Sequence, residues 1–368
     1  MSKKNQVTTN RPIRILHVLS SLNRGGGMIR VPYNYQLHID SKQVAFDYLY
    51  FFEMPDTIST EIGELGSRTW HVPAGKGLID FFRKHKGEFD IVHCHPIFAS
   101  QLVGWPARLN GAKAVIQHSH STRYSDKSSS AKRNAFLARF MGLFATDYVA
   151  CSDAARILLR RHGKDAYLMR NAIDPDDFAF SPEGRVRVRD ELGVRNETFV
   201  LGTLGRCSQE KNQAFLIEVA EALGAREVDY KVVIAGDGPL RSELEEQISQ
   251  RGLTGKVVTL GSRGDARDLY SAFDCFVLPS LFEGLPVSAV EAQATGLPCL
   301  LSDSITADVA FGKVKFLPLG DAAAWASAAV AAFSEREPSE QGLLARSGFD
   351  INVEAAKLVD YYREIASR

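Results

Sequence analysis

The sequence predicts an α/β protein built from two Rossmann-like domains, and three observations carry that expectation. Short apolar runs bounded by Gly, Asn or Asp alternate with longer segments of helical period, the pattern of βα units that assemble parallel sheets. The alternation runs through the first half of the chain, breaks at a polar stretch near residue 180, and then starts again. At 368 residues, 45% hydrophobic and 24% charged, the chain is long enough for two domains of ordinary size, each with its own core.

Taken in order, Met1 to Arg11 is polar and lacks the apolar stretch of a signal peptide, so residues 1–12 are expected to form a disordered leader. The run Ile13 to Leu19 is the first expected strand, followed by Phe46 to Phe51, Ile91 to Cys94, Ala114 to Gln117 and Tyr148 to Ala150. The second series comprises Phe199 to Leu204, Tyr230 to Ala235, Val257 to Leu260, Cys275 to Leu278 and Pro298 to Leu301. Between the series, Asn171 to Phe178 and the polar Ser181 to Arg189 read as the linker. The expected division is therefore a first domain over 13–180, a second over 181–345, and a C-terminal helix over 346–368. That last segment has apolar residues at helical spacing (Ala355, Leu358, Val359, Tyr362) and is expected to pack back on the first domain.

Composition narrows the function. Lys plus Arg equals Asp plus Glu at 44 each, so no overall field attracts nucleic acid or an anionic membrane, and only a local basic patch could do so. Five scattered cysteines without close pairs argue against a disulfide framework and against a zinc site, and fit a reducing cytoplasm. No apolar stretch is long enough to span a bilayer, since Arg139 interrupts the best candidate, Phe136 to Val149; membrane contact at the inner face would be peripheral.

Chemistry concentrates at the ends of strands. Glu283-Gly284-Leu285-Pro286 through Glu291 follows a buried strand and places one carboxylate in a loop and one inside the next helix, with Pro286 suited to that helix's first turn. In open α/β sheets ligands lie outside the carboxyl ends of strands, beside helix N-termini whose free N–H groups favour anions, so a pyrophosphate fits there with carboxylates accepting from sugar hydroxyls. A solvated helix face and a dipole-favoured helix-start carboxylate account for the same two residues. After the first strand of the second series, Gly205-Arg206 and Lys211 put two cations on a short loop where both could reach one diphosphate, or where both could simply be exposed. Asn23-Arg24-Gly25-Gly26-Gly27 follows the first strand and suits a phosphate, an acceptor or a turn, without the glycine spacing of a dinucleotide fingerprint. His118 and His120, and His93 and His95, end adjacent strands; each pair is either structural or cleft-facing, and neither has the further ligands that a zinc shell needs. Gly236-Asp237-Gly238-Pro239 reads as a βα turn, and Arg263, after Gly261-Ser262, could face a nucleobase.

As an ordered set, Gly205-Arg206 with Lys211, Gly236-Asp237-Gly238-Pro239, Gly261, and Glu283 to Glu291 through Gly296-Leu297-Pro298 resemble the family 4 retaining glycosyltransferases. Asn23 to Gly26, His118-Ser119-His120 and Asn171 to Asp174 extend the likeness over most of the chain, and it is strongest to bacterial exopolysaccharide and capsule enzymes. The resemblance implies a GT-B fold, with acceptor in the N-terminal domain, UDP-sugar donor in the C-terminal domain, and no metal or other cofactor. It implies that Arg206 and Lys211 hold the diphosphate and Glu291 the ribose, with Glu283 on the transferred sugar. Backbone amides around Gly284, Leu285 and Pro286 would contact sugar and phosphates, although Pro286 itself has no N–H. His120, in preference to His118, is the cleft histidine, and Gly25, Gly26 and Arg263 complete the donor contacts. Here Gly27 and Met28 stand where several relatives have alanine and glutamate, which leaves the loop's part in acceptor recognition open. The implied activity is transfer of a hexose or N-acetylhexosamine to a saccharide or lipid-linked acceptor in polysaccharide biosynthesis. The alternatives are a nucleotide-sugar 2-epimerase of the same fold and a catalytically silent nucleotide-sugar-binding subunit.

Overall fold

The computed structural model describes residues 11–24, 26–124, 128–333, 335–337, 340 and 342–368. The first sheet has seven parallel strands, β1 (Ile13–Leu19), β2 (Val44–Tyr50), β3 (Thr69–His71), β4 (Ile91–Cys94), β5 (Ala114–Ser119), β6 (Asp147–Ala150) and β7 (Tyr167–Leu168), in the order β3-β2-β1-β4-β5-β6-β7. The second has six, β8 (Phe199–Leu204), β9 (Tyr230–Ala235), β10 (Val257–Gly261), β11 (Cys275–Leu278), β12 (Cys299–Ser302) and β13 (Val314–Leu317), in the order β10-β9-β8-β11-β12-β13. Each sheet reverses strand order beside its first strand, at β1/β4 and at β8/β11, and these switch points are where open parallel sheets leave a crevice. The central strands are buried along nearly their whole length, which is why they were readable as continuous apolar runs.

The structure corrects the sequence reading at several places. Three strands went unread: β3, β7 and β13 are two to four residues long, lie at or next to sheet edges, and carry too few apolar positions to form a run. The leader is not disordered up to residue 12, because Arg11 makes a two-pronged salt bridge to Asp90 at 2.8 and 2.9 Å; residues 1–10 lie outside the described residues. The polar stretch expected as linker is the helix Pro182–Glu191. Ser181 caps it by accepting from the Gly184 N–H at 2.9 Å, Pro182 supplies the first turn, and its one buried cation, Arg189, donates to Asp274 and to the Ala272 and Thr198 carbonyls. Phe136 to Val149 divides among the end of one helix, a 3₁₀ turn and β6, and no helix among the described residues is long and apolar enough to cross a membrane.

The C-terminal helix Ile351–Ala366 does return to the first sheet. Ile351, Leu358 and Tyr362 join Ile15, Tyr35 and Tyr48 in one core, and Lys113 Nζ donates to the Ala366 carbonyl at 2.7 Å. The two passages between the sheets lie side by side: the Ile173 N–H donates to the Phe349 carbonyl, and the Ile351 N–H donates back to Ile173. Leu358 is fully buried in the core that the helix forms with the first sheet. Leu358→Ala is therefore expected to lower the unfolding free energy by about 2–5 kcal/mol in a urea titration, and a variant as stable as the parent would show the helix to be peripheral to the core.

Candidate active site

The cationic loop leaves β8 at Leu204 and turns through a short 3₁₀ segment, Gln209–Lys211. Asn212 then takes a left-handed conformation, φ 52°, and its side-chain amide donates to the Pro279 carbonyl at 3.1 Å. That fastening turns Lys211 towards the neighbouring loop after β11, where Nζ donates to Glu283 Oε1 at 2.6 Å. Ser280 Oγ donates to the same oxygen at 2.7 Å. The carboxylate of Glu283 is thus fixed by an ammonium and a hydroxyl, while the ammonium retains two further N–H groups. Arg206 is exposed and has no ion-pair partner among the described residues, so its fork is available to an anion.

Helix Val287–Ala294 follows, with Pro286 at its cap position, one residue earlier than the sequence pattern implied. Among the described residues, the N–H groups of Gly284, Leu285, Val287 and Ser288 donate to no protein acceptor, which leaves an amide cluster at the head of the helix. Within the helix, Glu291 accepts from Tyr270 OH at 2.8 Å, and burial raises its carboxyl above the usual range, offset in part by that hydrogen bond and by Arg30 across the cleft. Tyr270 and Arg30 carry no motif and were invisible to sequence reasoning.

The carbonyls of this loop face the first domain. Thr122 Oγ1 donates to the Glu283 carbonyl at 3.3 Å, Ser152 Oγ to Gly284 at 2.9 Å, and Asn171 Nδ2 to Leu285 at 2.7 Å. Gly284 is required by the approach itself, because a Cβ there would lie 2.0 Å from the His120 carbonyl oxygen. The loop that carries Glu283 is therefore moored to the segments that follow β5, β6 and β7.

Five histidines from three strand ends meet beneath it. His17 Nδ1 and His95 Nε2 lie 2.9 Å apart, His95 Nδ1 and His120 Nε2 2.8 Å, and His93 Nε2 and His118 Nδ1 3.1 Å, while His93 Nδ1 meets Tyr362 OH at 2.8 Å. The rings of His118 and His120 stack at 3.8 Å, so both lie at the site. His120 is the one at the rim, and His118 is fully enclosed. Potential ligand atoms of His95, His118 and His120 fall within 4.8 Å of one another, a fuller nitrogen set than the sequence disclosed. Hydrogen bonds between the rings account for most of these nitrogens; His17 Nε2 and His118 Nε2 are buried without partners. Burial pushes His17 and His120 down to about 3, and lowers His93, His95 and His118 as well, so all five rings are neutral at neutral pH.

Between the halves lies a cleft of about 680 Å³ lined by Asn23, Arg24 and Arg30 from the first domain and by Arg206, Asp237 and Arg263 from the second. Gly236 permits its floor: at φ 142°, a Cβ there would collide with the Gly205 carbonyl. Gly26 lies at the edge, its N–H on the Asn23 carbonyl at 2.8 Å, just before helix Gly27–His38; Gly25 lies outside the described residues. Arg24 is bound to Asp56 and Glu61. Arg263 reaches the cleft, where Asp265 and Glu191 each take its guanidinium in a two-pronged pair and its planar face is left for a ligand.

Two family descriptions match the chain: Glycosyltransferase Family 4 over residues 53–177 and Glycosyl transferases group 1 over residues 198–335. A Bacillus subtilis (strain 168) protein carrying the provisional name glycosyltransferase EpsF is 34% identical over 369 residues, covering 95% of this chain and 96% of its own. The UDP-Gal:alpha-D-GlcNAc-diphosphoundecaprenol alpha-1,3-galactosyltransferase of Escherichia coli is 30% identical over 62% of each chain. Among solved structures, Anabaena HepE, in complex with UDP and glucose, superposes with a TM-score of 0.78 at 19% identity, over 96% of this chain and 100% of its own. Sucrose-phosphate synthase from Thermosynechococcus elongatus gives 0.77 at 17% identity, over 96% and 98%.

The histidine cluster sets an acid limit on the fold. The folded state binds fewer protons than the unfolded chain between about 3 and the ordinary histidine value of about 6.5, so the stability these rings confer is complete above that upper value and is lost as the pH falls below it. Urea midpoints measured across this range should fall steeply with acidification, and a flat profile would show the rings to be accessible to protons in the native state.

Proposed function

Since this chain belongs to glycosyltransferase family 4 and has its two-domain GT-B fold, we propose that it transfers a hexose or N-acetylhexosamine from a UDP-sugar to a saccharide or lipid-linked acceptor, with retention and without a catalytic metal. The observation that carries this reading is that Lys211, beside Gly205 of the cleft lining and on the same loop as the free Arg206, pairs with Glu283 just ahead of the unpaired amides at the head of helix Val287–Ala294. These donors suit the diphosphate of a leaving nucleotide, whose charge grows as the sugar–oxygen bond breaks. Glu283, held by Lys211 and Ser280, has an acceptor oxygen for a sugar hydroxyl, and Glu291, which accepts from Tyr270, would take the ribose hydroxyls. The partners of HepE and the substrate named for the Escherichia coli relative support a UDP-linked donor, and the latter supports a lipid-linked acceptor.

In this reading the acceptor hydroxyl attacks the anomeric carbon from the face that the diphosphate leaves. The carbon–oxygen bond to UDP breaks as the new glycosidic bond forms, and the hydroxyl proton passes to the departing phosphate oxygen. No separate strong base is needed. His120 is neutral and contributes a hydrogen bond instead of a charge. Glu283 need not bond covalently to the sugar, unlike the nucleophile of retaining glycosidases.

Incubation with a panel of nucleotide sugars tests the reading, with UDP release and product measured separately. Lys211→Ala should slow UDP-sugar turnover by about 10²–10³-fold, the cost of removing one donor to a developing charge, and much more than it lowers the melting temperature. Glu291→Gln should weaken UDP binding by about tenfold or more in calorimetry, as loss of a charged hydrogen bond does. Turnover that disappears with a chelator and returns with magnesium would overturn metal independence. An epimerised sugar nucleotide formed without acceptor would replace transfer by isomerisation.

A further inference from the structure

We propose that an exposed apolar face of the first domain, formed by helix Ala99–Leu109 and the segment from Phe136 to the 3₁₀ turn Ala138–Leu143, docks on an anionic lipid bilayer. Phe98, Leu102, Trp105 and Leu109 recur every four, three and four residues, so they form one stripe along the helix, and all four are exposed, Trp105 by 57% and Leu109 by 73%. The opposite side of the same helix buries Ala99, Val103 and Ala107, so its core-facing side is already filled. Phe136, Phe140 and Leu143 form a second exposed stripe, with the two aromatic rings 5.4 Å apart. The two elements are locked together: Gln101 Nε2 donates to the Leu137 carbonyl at 2.8 Å, and Gly104 lets the Phe144 carbonyl approach where a side chain would block it. Among the described residues, nine of the eighteen exposed large apolar side chains fall between Phe98 and Ile157.

Charge selects the occupant. Between residues 98 and 143 the sequence has seven Lys and Arg against one Asp, in a chain where the two signs are otherwise balanced at 44 each. Arg108, Lys132, Arg133 and Arg139 are exposed beside the stripes, and none pairs with a carboxylate among the described residues, whereas Arg187, Arg241 and Arg263 of the second domain all do. A second copy meeting this face across a two-fold axis would set these cations against their own counterparts. A bilayer bearing anionic headgroups offers diffuse negative charge around an apolar interior, and Trp and Phe partition to that boundary. Arg123 lies over the Phe282 ring at 4.4 Å, so the chain touches the residue before Glu283 five positions ahead of helix Ser128–Leu137. The proposal stands on the surface alone and does not depend on the identity of the donor sugar.

Co-sedimentation of the full chain with vesicles tests it. The protein should pellet with phosphatidylglycerol–phosphatidylethanolamine vesicles, stay in solution with phosphatidylcholine alone, and be released by high salt. Trp105→Ser with Leu109→Ser should weaken vesicle binding by about tenfold or more with unchanged circular dichroism, because both side chains are exposed. Should that pair fail to fold, Arg108→Ser with Arg139→Ser tests the charge contribution and should give a similar loss. A parent chain that ignores anionic vesicles at low salt, or apolar and charge variants that both bind like the parent, would overturn the proposal. So would a dimer in ultracentrifugation that the serine variants abolish while vesicle binding is absent, which would make the face a homotypic contact.

Discussion

The mooring of the Glu283–Pro286 loop on the first domain is the contact on which the rest of the site depends. Three side chains from the first domain take the loop's carbonyls, and Gly284 removes the atom that would hold the two apart. A peptide group has two ends, and here they are divided between tasks. The oxygens are spent on the partner domain, so the N–H groups face the other way and remain unsatisfied at the head of a helix. The same loop places Glu283 between Lys211 and Ser280. The geometry of the proposed donor site and inter-domain packing are in this sense one structure, and a substitution at Ser152 or Asn171 would act on the Glu283 loop from the other domain.

The electrostatics of the two walls differ in kind. The wall from the second domain presents charged groups, Arg206 free and Lys211 and Glu283 paired, while the buried Glu291 has its carboxyl raised by desolvation. Beneath the loop, the first domain contributes five imidazoles that burial keeps neutral. Neutral rings linked to one another can orient a hydroxyl without competing for the anion opposite. The partition is what a reaction needs when negative charge accumulates on one reactant and the other is an uncharged alcohol.

Much of this was legible in the sequence, and the limits have physical causes. The central strands were readable because burial on both faces leaves an uninterrupted apolar run, and five of them match the structure to the residue. Edge strands β3 and β13 have one wet side and too few residues to show a period. The helix Pro182–Glu191 was missed because it buries so little apolar surface that only its Ser-Pro start betrayed it. The pairing of Lys211 with Glu283 joins residues 72 positions apart, and the mooring contacts span 114 to 161. Spacing motifs report which residues sit at strand ends, but not which ends face one another. Arg263, read as ligand-facing because it follows a strand, does line the cleft, but spacing could not show that two acids pair with its guanidinium. The histidine pairs were visible as pairs, and only the register of β1, β4 and β5 turns them into a cluster.

The return of the chain to the first sheet carries a mechanical consequence. Because Ile173 and the Phe349–Ile351 segment cross together and hydrogen-bond to each other, the second lobe hangs from a two-ply strap instead of a single tether. A single strand can swing about any axis; two bonded strands side by side resist splaying and leave twist about their common direction as the compliant freedom. Any breathing of the lobes is thereby channelled into rotation about one hinge line, so that the wall from the second domain leaves and regains its facing surface along a reproducible arc.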